Sequence, residues 1–350
     1  MMPKYWFYNK NLCSDRSCYF TFDRRLLQRA SAVLFFPRNS HRDDITPPFR
    51  FSNQTYVFFW HEAPVHTFFD LNYFPPNFFN LTMTYRRDSN VSCPYNCFLP
   101  YKEEQELSEE QLISFARKER FAVSMVSNCY TNSKRETLVS QLSEFIHIDK
   151  LGHCGVKSYP YHPVTEDFIY GLYKFTLAFE NAVCQDYVTE KFFRLKNGPV
   201  PVVLRRSDYV HFPPRSFIAA DDFNSTEQLA NYLVYLGEHP EAYLGYFNWR
   251  RHYWIGNEKC MENACFCQLC KLLSTGNSTE SEESLLVTLK DSATTNGGNV
   301  GGSSIQNITR WWHDGPKCVK NFAQTLYSND WKGDEAKATT QSAQALSKLS

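Results

Sequence analysis

Between Tyr173 and Leu204 the chain passes from an apolar run, Tyr173-Lys174-Phe175-Thr176-Leu177-Ala178-Phe179, through a polar turn at Glu180-Asn181 to Asp186-Tyr187-Val188-Thr189-Glu190-Lys191, and then to a second apolar run, Val200-Pro201-Val202-Val203-Leu204. Strand, loop, helix start and strand in such close succession describe one step of an open parallel sheet. Such sheets place ligands at strand ends, where a loop feeds a helix N-terminus. The acid and base of Glu190-Lys191 fall at that place.

The pattern recurs along the chain. Ala32-Val33-Leu34-Phe35-Phe36, Tyr56-Val57-Phe58-Phe59-Trp60 and Phe121-Ala122-Val123-Ser124-Met125-Val126 read as buried strands. Helices are expected over 23–28 and 109–116, with another capped by Ser133 and completed by Glu136 in a capping box. After about Val156 come the 177–179 strand, a helix near Thr189, the 200–204 strand, a short strand at 216–218 and a helix from Thr226 to Gly237. Alternating β and α elements predict an α/β fold on parallel sheets. Two Rossmann-like domains facing a cleft, the GT-B architecture, fit it, and so does one larger Rossmann-like domain. The boundaries expected are 1–155, 156–273, a flexible Ser/Thr/Gly/Asn-rich insertion at 274–304, and a C-terminal segment and tail at 305–350.

Composition sets limits on function. A length of 350 residues, with 29 Phe and 21 Tyr, is enough for two cores. Lys+Arg and Asp+Glu stand at 37 each, without the basic surplus of a nucleic-acid binder. The 12 cysteines accompany N-x-S/T triplets at Asn53, Asn80, Asn90, Asn224, Asn277 and Asn307, a combination that favours the secretory pathway and disulfides. No leader or membrane-spanning run is visible in the sequence, so the expectation is a piece of a longer protein whose N-terminal anchor is absent here.

Several residues could carry chemistry. Transfer from a nucleotide-diphosphate sugar needs cations or helix N–H groups on the departing diphosphate, and a base for the acceptor hydroxyl. Lys191 at a helix start is one cation. Arg135, in Ser127-Asn128-Cys129-Tyr130-Thr131-Asn132-Ser133-Lys134-Arg135, is another, able to grip phosphate bidentately. Glu62 and His61, at the end of the 56–60 strand, are candidate bases. In Tyr85-Arg86-Arg87-Asp88 the charges could shape an acceptor cleft or form an internal Arg–Asp pair. Asp43-Asp44 and Asp221-Asp222 are surface acids rather than metal ligands. Cys260, Cys265, Cys267 and Cys270 are spaced so that a zinc-binding interaction module is the rival class.

The run from Tyr173 to Lys191 resembles the signature of the α1,3-fucosyltransferases, glycosyltransferase family 10, as do Ser127-Asn128 with Arg135, the 81–89 block and Trp60-His61-Glu62-Ala63-Pro64. The likeness covers roughly Cys18 to Cys270. It implies the GT-B fold and GDP-fucose as donor, with no obligatory metal or cofactor. By resemblance, Ser127, Asn128, Arg135, Asn181, Tyr187, Glu190 and Lys191 bind the donor. Glu190 would take the ribose hydroxyls, Lys191 and Arg135 the diphosphate, Asn181 and Tyr187 the ribose and fucose region, and Glu62 would be the base. It also implies a glycoprotein glycan acceptor, fucosylated with inversion on a GlcNAc hydroxyl, and a Golgi-lumen location behind a membrane anchor. Some relatives fucosylate peptide hydroxyls instead. Disulfides from Cys267 and Cys270 to Cys13 and Cys18 follow from the same likeness. The C-terminal Trp311–Cys318 block looks like invertebrate and plant core-modifying members. Three departures stand out: Phe192–Gly198 is short, Thr176 replaces a common tyrosine, and the sequence is expected to begin at or inside the first strand.

Overall fold

Among the described residues two strand sets build the two larger sheets, and a further pair of strands forms a two-stranded sheet. The computed structural model describes residues 18–37, 50–155, 168–193, 198–256, 262–274 and 305–328. The chain forms two compact units, one of residues 1–97 with 256–317, the other of 98–255 with 318–350.

In the first unit Ala32–Phe35 (β1), Thr55–Trp60 (β2), Leu81–Thr84 (β3) and Val91–Ser92 (β4) pair in the order β1-β2-β3-β4, every pair parallel. Residues 56–60 of β2 are buried throughout, as expected of a strand covered on both faces. Phe35, Phe74, Phe78 and Phe79 stack edge-on around one another on this sheet. Arg86 pairs with Asp88 (Nε–Oδ1 2.8 Å), stacks its guanidinium 4.0 Å from the Trp311 ring centroid and donates to the Trp311 carbonyl. Of the two readings of that block, the internal pair is the one observed.

Cys97–Pro100 (β5) and Tyr253–Gly256 (β11), where the chain passes from one unit to the other, pair as a two-stranded sheet whose residues 98–100 and 253–255 belong to the second unit. The sheet proper comprises Arg120–Met125 (β6), Ile148–Leu151 (β7), Tyr173–Leu177 (β8), Val200–Val203 (β9) and Ile218–Ala219 (β10), in the order β10-β9-β8-β6-β7. All its pairs are parallel. The helix at Glu109–Ala116 begins at a complete capping box between Ser108 and Gln111. The helix at Thr226–Glu238 buries Leu229, Ala230, Leu233 and Leu236, one apolar stripe.

Several expectations are corrected here. The boundary at 155 cuts this sheet, because β6 and β7 precede it and β6 pairs with β8, which follows it. The units are also discontinuous in sequence: residues 256–317 return to the first, and 318–350 to the second. The helix from Thr226 ends at Glu238, one residue past the expected Gly237, and a Cβ at Gly237 would come 2.9 Å from the Phe121 ring, a close approach that favours glycine. The 23–28 helix is a 3-10 segment at Arg24–Arg29. The expected insertion beyond Ser274, the tail, Cys13, Asn277, Asp43-Asp44 and most of the shortened 192–198 segment lie outside the described residues. No described helix is long and apolar enough to cross a membrane.

Disulfides join Cys18–Cys270 and Cys93–Cys265 in the first unit, and Cys129–Cys154 and Cys184–Cys318 in the second. Cys267 is also disulfide-bonded. The expected link between the start of the chain and the C-x2-C pair is thus present at Cys18–Cys270. Sulfurs held in disulfides are not the thiolates that zinc requires, so the zinc-module reading falls for Cys265, Cys267 and Cys270.

Candidate active site

The parallel order brings the loops after β6 and β8 side by side at the C-terminal ends of adjacent strands. Ser127 and Asn128 are exposed just past β6. The loop then turns through Lys134 in the left-handed region (φ 58°) and opens the helix Arg135–Leu142. Ser133 does not cap this helix. Its hydroxyl donates to the Glu180 carbonyl (2.6 Å), its amide donates to the Asn181 carbonyl (3.0 Å), and Glu136 turns to Thr131 (Oγ1–Oε2 2.8 Å). The expected capping box is therefore replaced by a contact with the loop after β8, a tertiary bond that local pattern cannot disclose.

Arg135 is only 3% exposed. Its Nη1 donates to the Phe179 carbonyl (2.7 Å) and its Nη2 to the Asn128 carbonyl (3.1 Å), so one side chain spans both loops. Burial presses its pKa down, while Glu180 and then Glu136 act against that shift.

One residue away sits Glu180, 4% exposed, a group not among the sequence candidates. Its Oε1 accepts from the Thr189 amide (2.8 Å), both carboxylate oxygens face the Thr189 hydroxyl at 2.9 Å, and Oε2 lies 3.0 Å from the Lys191 ammonium. Burial pushes the Glu180 carboxyl up against the pull of Lys191. For Lys191 burial works downward, but Glu180 and then Glu190 outweigh it and hold its pKa above the ordinary value. The ammonium also donates to the Thr189 hydroxyl (2.8 Å) and to Glu190 Oε1 (3.2 Å). Glu180, Thr189 and Glu190 thus share its three protons. Glu190, whose side chain is 43% exposed, is the outermost of the three. The signal for Glu180 was present in the sequence: it is an acid placed directly at the end of an apolar strand, where an isolated buried charge must find a cation.

Tyr187 is buried, Asp186 before it takes a positive φ of 63°, and Asn181 keeps a buried side-chain oxygen without a protein hydrogen-bond partner. Arg135, Asn181, Tyr187, Glu190 and Lys191 therefore belong to one unit and one pair of loops. Glu62 belongs to the other unit, two residues past the end of β2. Beside it His61 is committed: its Nε2 lies 2.7 Å from the Cys93 carbonyl and its ring stacks on Tyr95 at 4.2 Å. Both contacts tie the His61 ring to residues of its own unit.

Past β9, Arg205 holds Asp208 (Nη2–Oδ1 2.6 Å), Arg206 holds Asp222, and the Arg206 amide donates to Asp221 Oδ1 (2.8 Å). The Asp221-Asp222 pair therefore serves arginines. Burial raises Asp221 to about 7 and Asp208 to about 6. A carboxyl raised on folding favours the folded state fully below its unfolded pKa, and that contribution is lost as pH rises through about 7. Asp221→Asn keeps the acceptor for the Arg206 amide. Its unfolding midpoint should therefore fall less than that of the unmodified chain between pH 5 and about 8. Parallel midpoint curves would remove the assignment.

Of the sequon asparagines, Asn53, Asn90, Asn224 and Asn307 are exposed, while Asn80 is partly buried and accepts from the Tyr56 amide (2.8 Å).

Two units built on parallel sheets, with loops converging at the C-terminal ends of their strands, are consistent with a GT-B architecture. Comparison with known proteins narrows the class. The family model described as "Glycosyltransferase family 10 (fucosyltransferase) C-term" matches residues 115–288, and "Fucosyltransferase, N-terminal" matches residues 4–96. An alpha-(1,3)-fucosyltransferase of Caenorhabditis elegans is 33% identical over 74% of this chain and 61% of its own length. Alpha-(1,3)-fucosyltransferase C of Drosophila melanogaster is 37% identical over 65% and 56%. A 4-galactosyl-N-acetylglucosaminide 3-alpha-L-fucosyltransferase of Pongo pygmaeus is 33% identical over 76% of each chain. The chain belongs to glycosyltransferase family 10, the fucosyltransferases. It spans little more than half the length of the two invertebrate relatives.

Proposed function

We propose that this chain is the catalytic portion of an inverting α1,3-fucosyltransferase that moves L-fucose from GDP-β-L-fucose to a GlcNAc hydroxyl of a glycoprotein glycan. The observation that carries the reading is the convergence of Arg135 and Lys191 on the Phe179–Glu180 step, at the end of a parallel strand in a family 10 chain. Two fixed cations there suit a diphosphate that leaves with growing negative charge. All three protons of Lys191 are already shared, so phosphate must replace one partner. Glu190 is the natural one to yield. If it turns to the ribose hydroxyls, it frees a proton of Lys191 while Glu180 and Thr189 keep the ammonium in place.

The acceptor oxygen would attack the anomeric carbon as its proton passes to Glu62, and the bond to GDP would break with its electrons leaving on the phosphate. Ser127, Asn128, Asn181 and Tyr187 complete the donor site in this reading. Its disulfides and sequons suit the oxidising Golgi lumen, with a membrane anchor in the full-length protein.

The test is an assay of the purified chain with GDP-fucose against N-glycopeptides, N-acetyllactosamine and folded peptide acceptors in parallel. Fucose on GlcNAc of either glycan is the expected outcome. Transfer to the peptide alone would reassign the acceptor, and no transfer to any of the three would overturn the reading.

A further inference from the structure

The segment Cys318–Tyr327 lies beyond the region that the family model matches, 115–288, yet it touches both loops of the candidate site. To the loop after β8 it is joined covalently by Cys184–Cys318, and alongside by the antiparallel bridge of Val183 with Val319, whose amide donates to the Val183 carbonyl (2.8 Å). To the loop after β6 it donates from the Asn321 amide to the Asn132 carbonyl (2.8 Å) and from the Ala323 amide to the Ser133 carbonyl (2.9 Å). Asn321 takes a φ of 59° to make this turn and starts the short helix Phe322–Thr325. Phe322, Ala323 and Leu326 are buried in the same core as Leu138, Val139 and Leu142 of the Arg135 helix. Tyr327 finally donates to the Ala220 carbonyl (2.8 Å), just past β10.

We infer that Cys318–Tyr327 is a clasp that fixes the Arg135 loop and the Glu180–Lys191 loop in register, and so acts as a positioning element for the donor. The donor consequence rests on the function proposed above; the clasp itself does not. Direct bonds between the two loops include those of Ser133 to Glu180 and Asn181, and of Arg135 to Phe179. The Arg135 bond is made by the very group that would have to grip phosphate. A separate brace lets the guanidinium serve the ligand without also holding the loops together. The seam is also polar. Asn132, Asn181 and Asn321, whose backbones are stitched there, each keep a buried side-chain oxygen with no protein hydrogen-bond partner. Buried acceptors left in that state are costly in a purely structural seam, and suit one that faces a hydroxyl-rich ligand.

The test uses the full chain with Cys184→Ser and Cys318→Ser together, so that no lone thiol is created. Amide hydrogen exchange should quicken by about tenfold or more at Ser133, Thr189, Asn321 and Ala323, and stay unchanged in β6 and β8. The KM for GDP-fucose and the Kd for GDP should rise by about tenfold, while kcat at saturating donor stays within about threefold. Unchanged exchange at the four amides overturns the clasp. Uniformly faster exchange through the strands also overturns it, since the disulfide would then be a general stabiliser. If the unmodified chain binds neither GDP nor GDP-fucose, the proposed function fails instead, and the exchange pattern still decides the clasp. Should the double variant not fold, Phe322→Leu loosens the same segment at its buried anchor, and the same four amides must respond.

Discussion

Lys191→Met is expected to lose two separable things: transfer, by about 100-fold or more, and stability, by about 3–5 kcal/mol. The stability loss comes from Glu180, which is buried and would keep its Thr189 contacts but lose the ammonium 3.0 Å from Oε2. Breaking one side of a buried ion pair strands the other charge, and that penalty exceeds what the pair contributes when whole. Loss of activity in Lys191→Met alone therefore proves little about the donor. Glu180→Gln resolves the ambiguity. The amide keeps an oxygen for the Thr189 N–H and no longer needs a cation. Lys191→Met combined with Glu180→Gln should recover most of the unfolding midpoint and still fail to transfer fucose. If the double variant turns over as the unmodified chain does, Lys191 only neutralises Glu180, and the phosphate role passes to Arg135 alone.

The same pair shows where sequence reading succeeds and where it stops. The 173–204 run identified its strands, its ligand-side loop and the Glu190-Lys191 helix start because each is written in local pattern: apolar runs, then a polar turn. The helix at 109–116 was equally legible, since its capping box is closed by residues three apart. Ser133 and Glu136 have the same spacing and the opposite outcome. A buried carbonyl at Glu180 outcompetes the helix end for the Ser133 hydroxyl, and that carbonyl comes from the loop after β8, 47 residues away. Glu180 was missed for a related reason: its significance lies in burial, which composition does not reveal. The boundary placed at 155 failed because local alternation says nothing about which strands share a sheet, or that 256–317 returns to the first unit. The likeness to family 10 pointed to Arg135 and Lys191 and to a link from Cys13 and Cys18 to Cys267 and Cys270, without saying which cysteine pairs with which; the structure pairs Cys18 with Cys270. The likeness did not extend to Cys184–Cys318, which lies partly beyond the matched region.

Glu62→Gln is expected to reduce transfer by about 10²–10⁴-fold while GDP binding stays as in the unmodified chain, the range typical of losing a general base. The substitution preserves size and hydrogen-bonding shape and removes only the capacity to accept a proton. Its position supports a chemical effect over a structural one. Glu62 follows a strand whose residues 56–60 are all buried, so the sheet fixes the backbone that leads to it. The next residues fix its exit: Ala63 is extended (φ −62°, ψ 149°) and Pro64 opens a one-turn 3-10 helix. His61 provides the contrast. Its ring is held by the Cys93 carbonyl and by Tyr95, and Cys93 is itself disulfide-bonded to Cys265, so His61→Ala should lower the unfolding midpoint first and transfer only in proportion. The decisive comparison is kcat against GDP affinity in one preparation of each variant. A fall in kcat confined to Glu62→Gln identifies the base, because a proton acceptor is needed only once both substrates are bound. Turnover by Glu62→Gln at the unmodified rate would mean that the acceptor hydroxyl loses its proton elsewhere, and the carboxylate at the end of β2 would then hold no catalytic role.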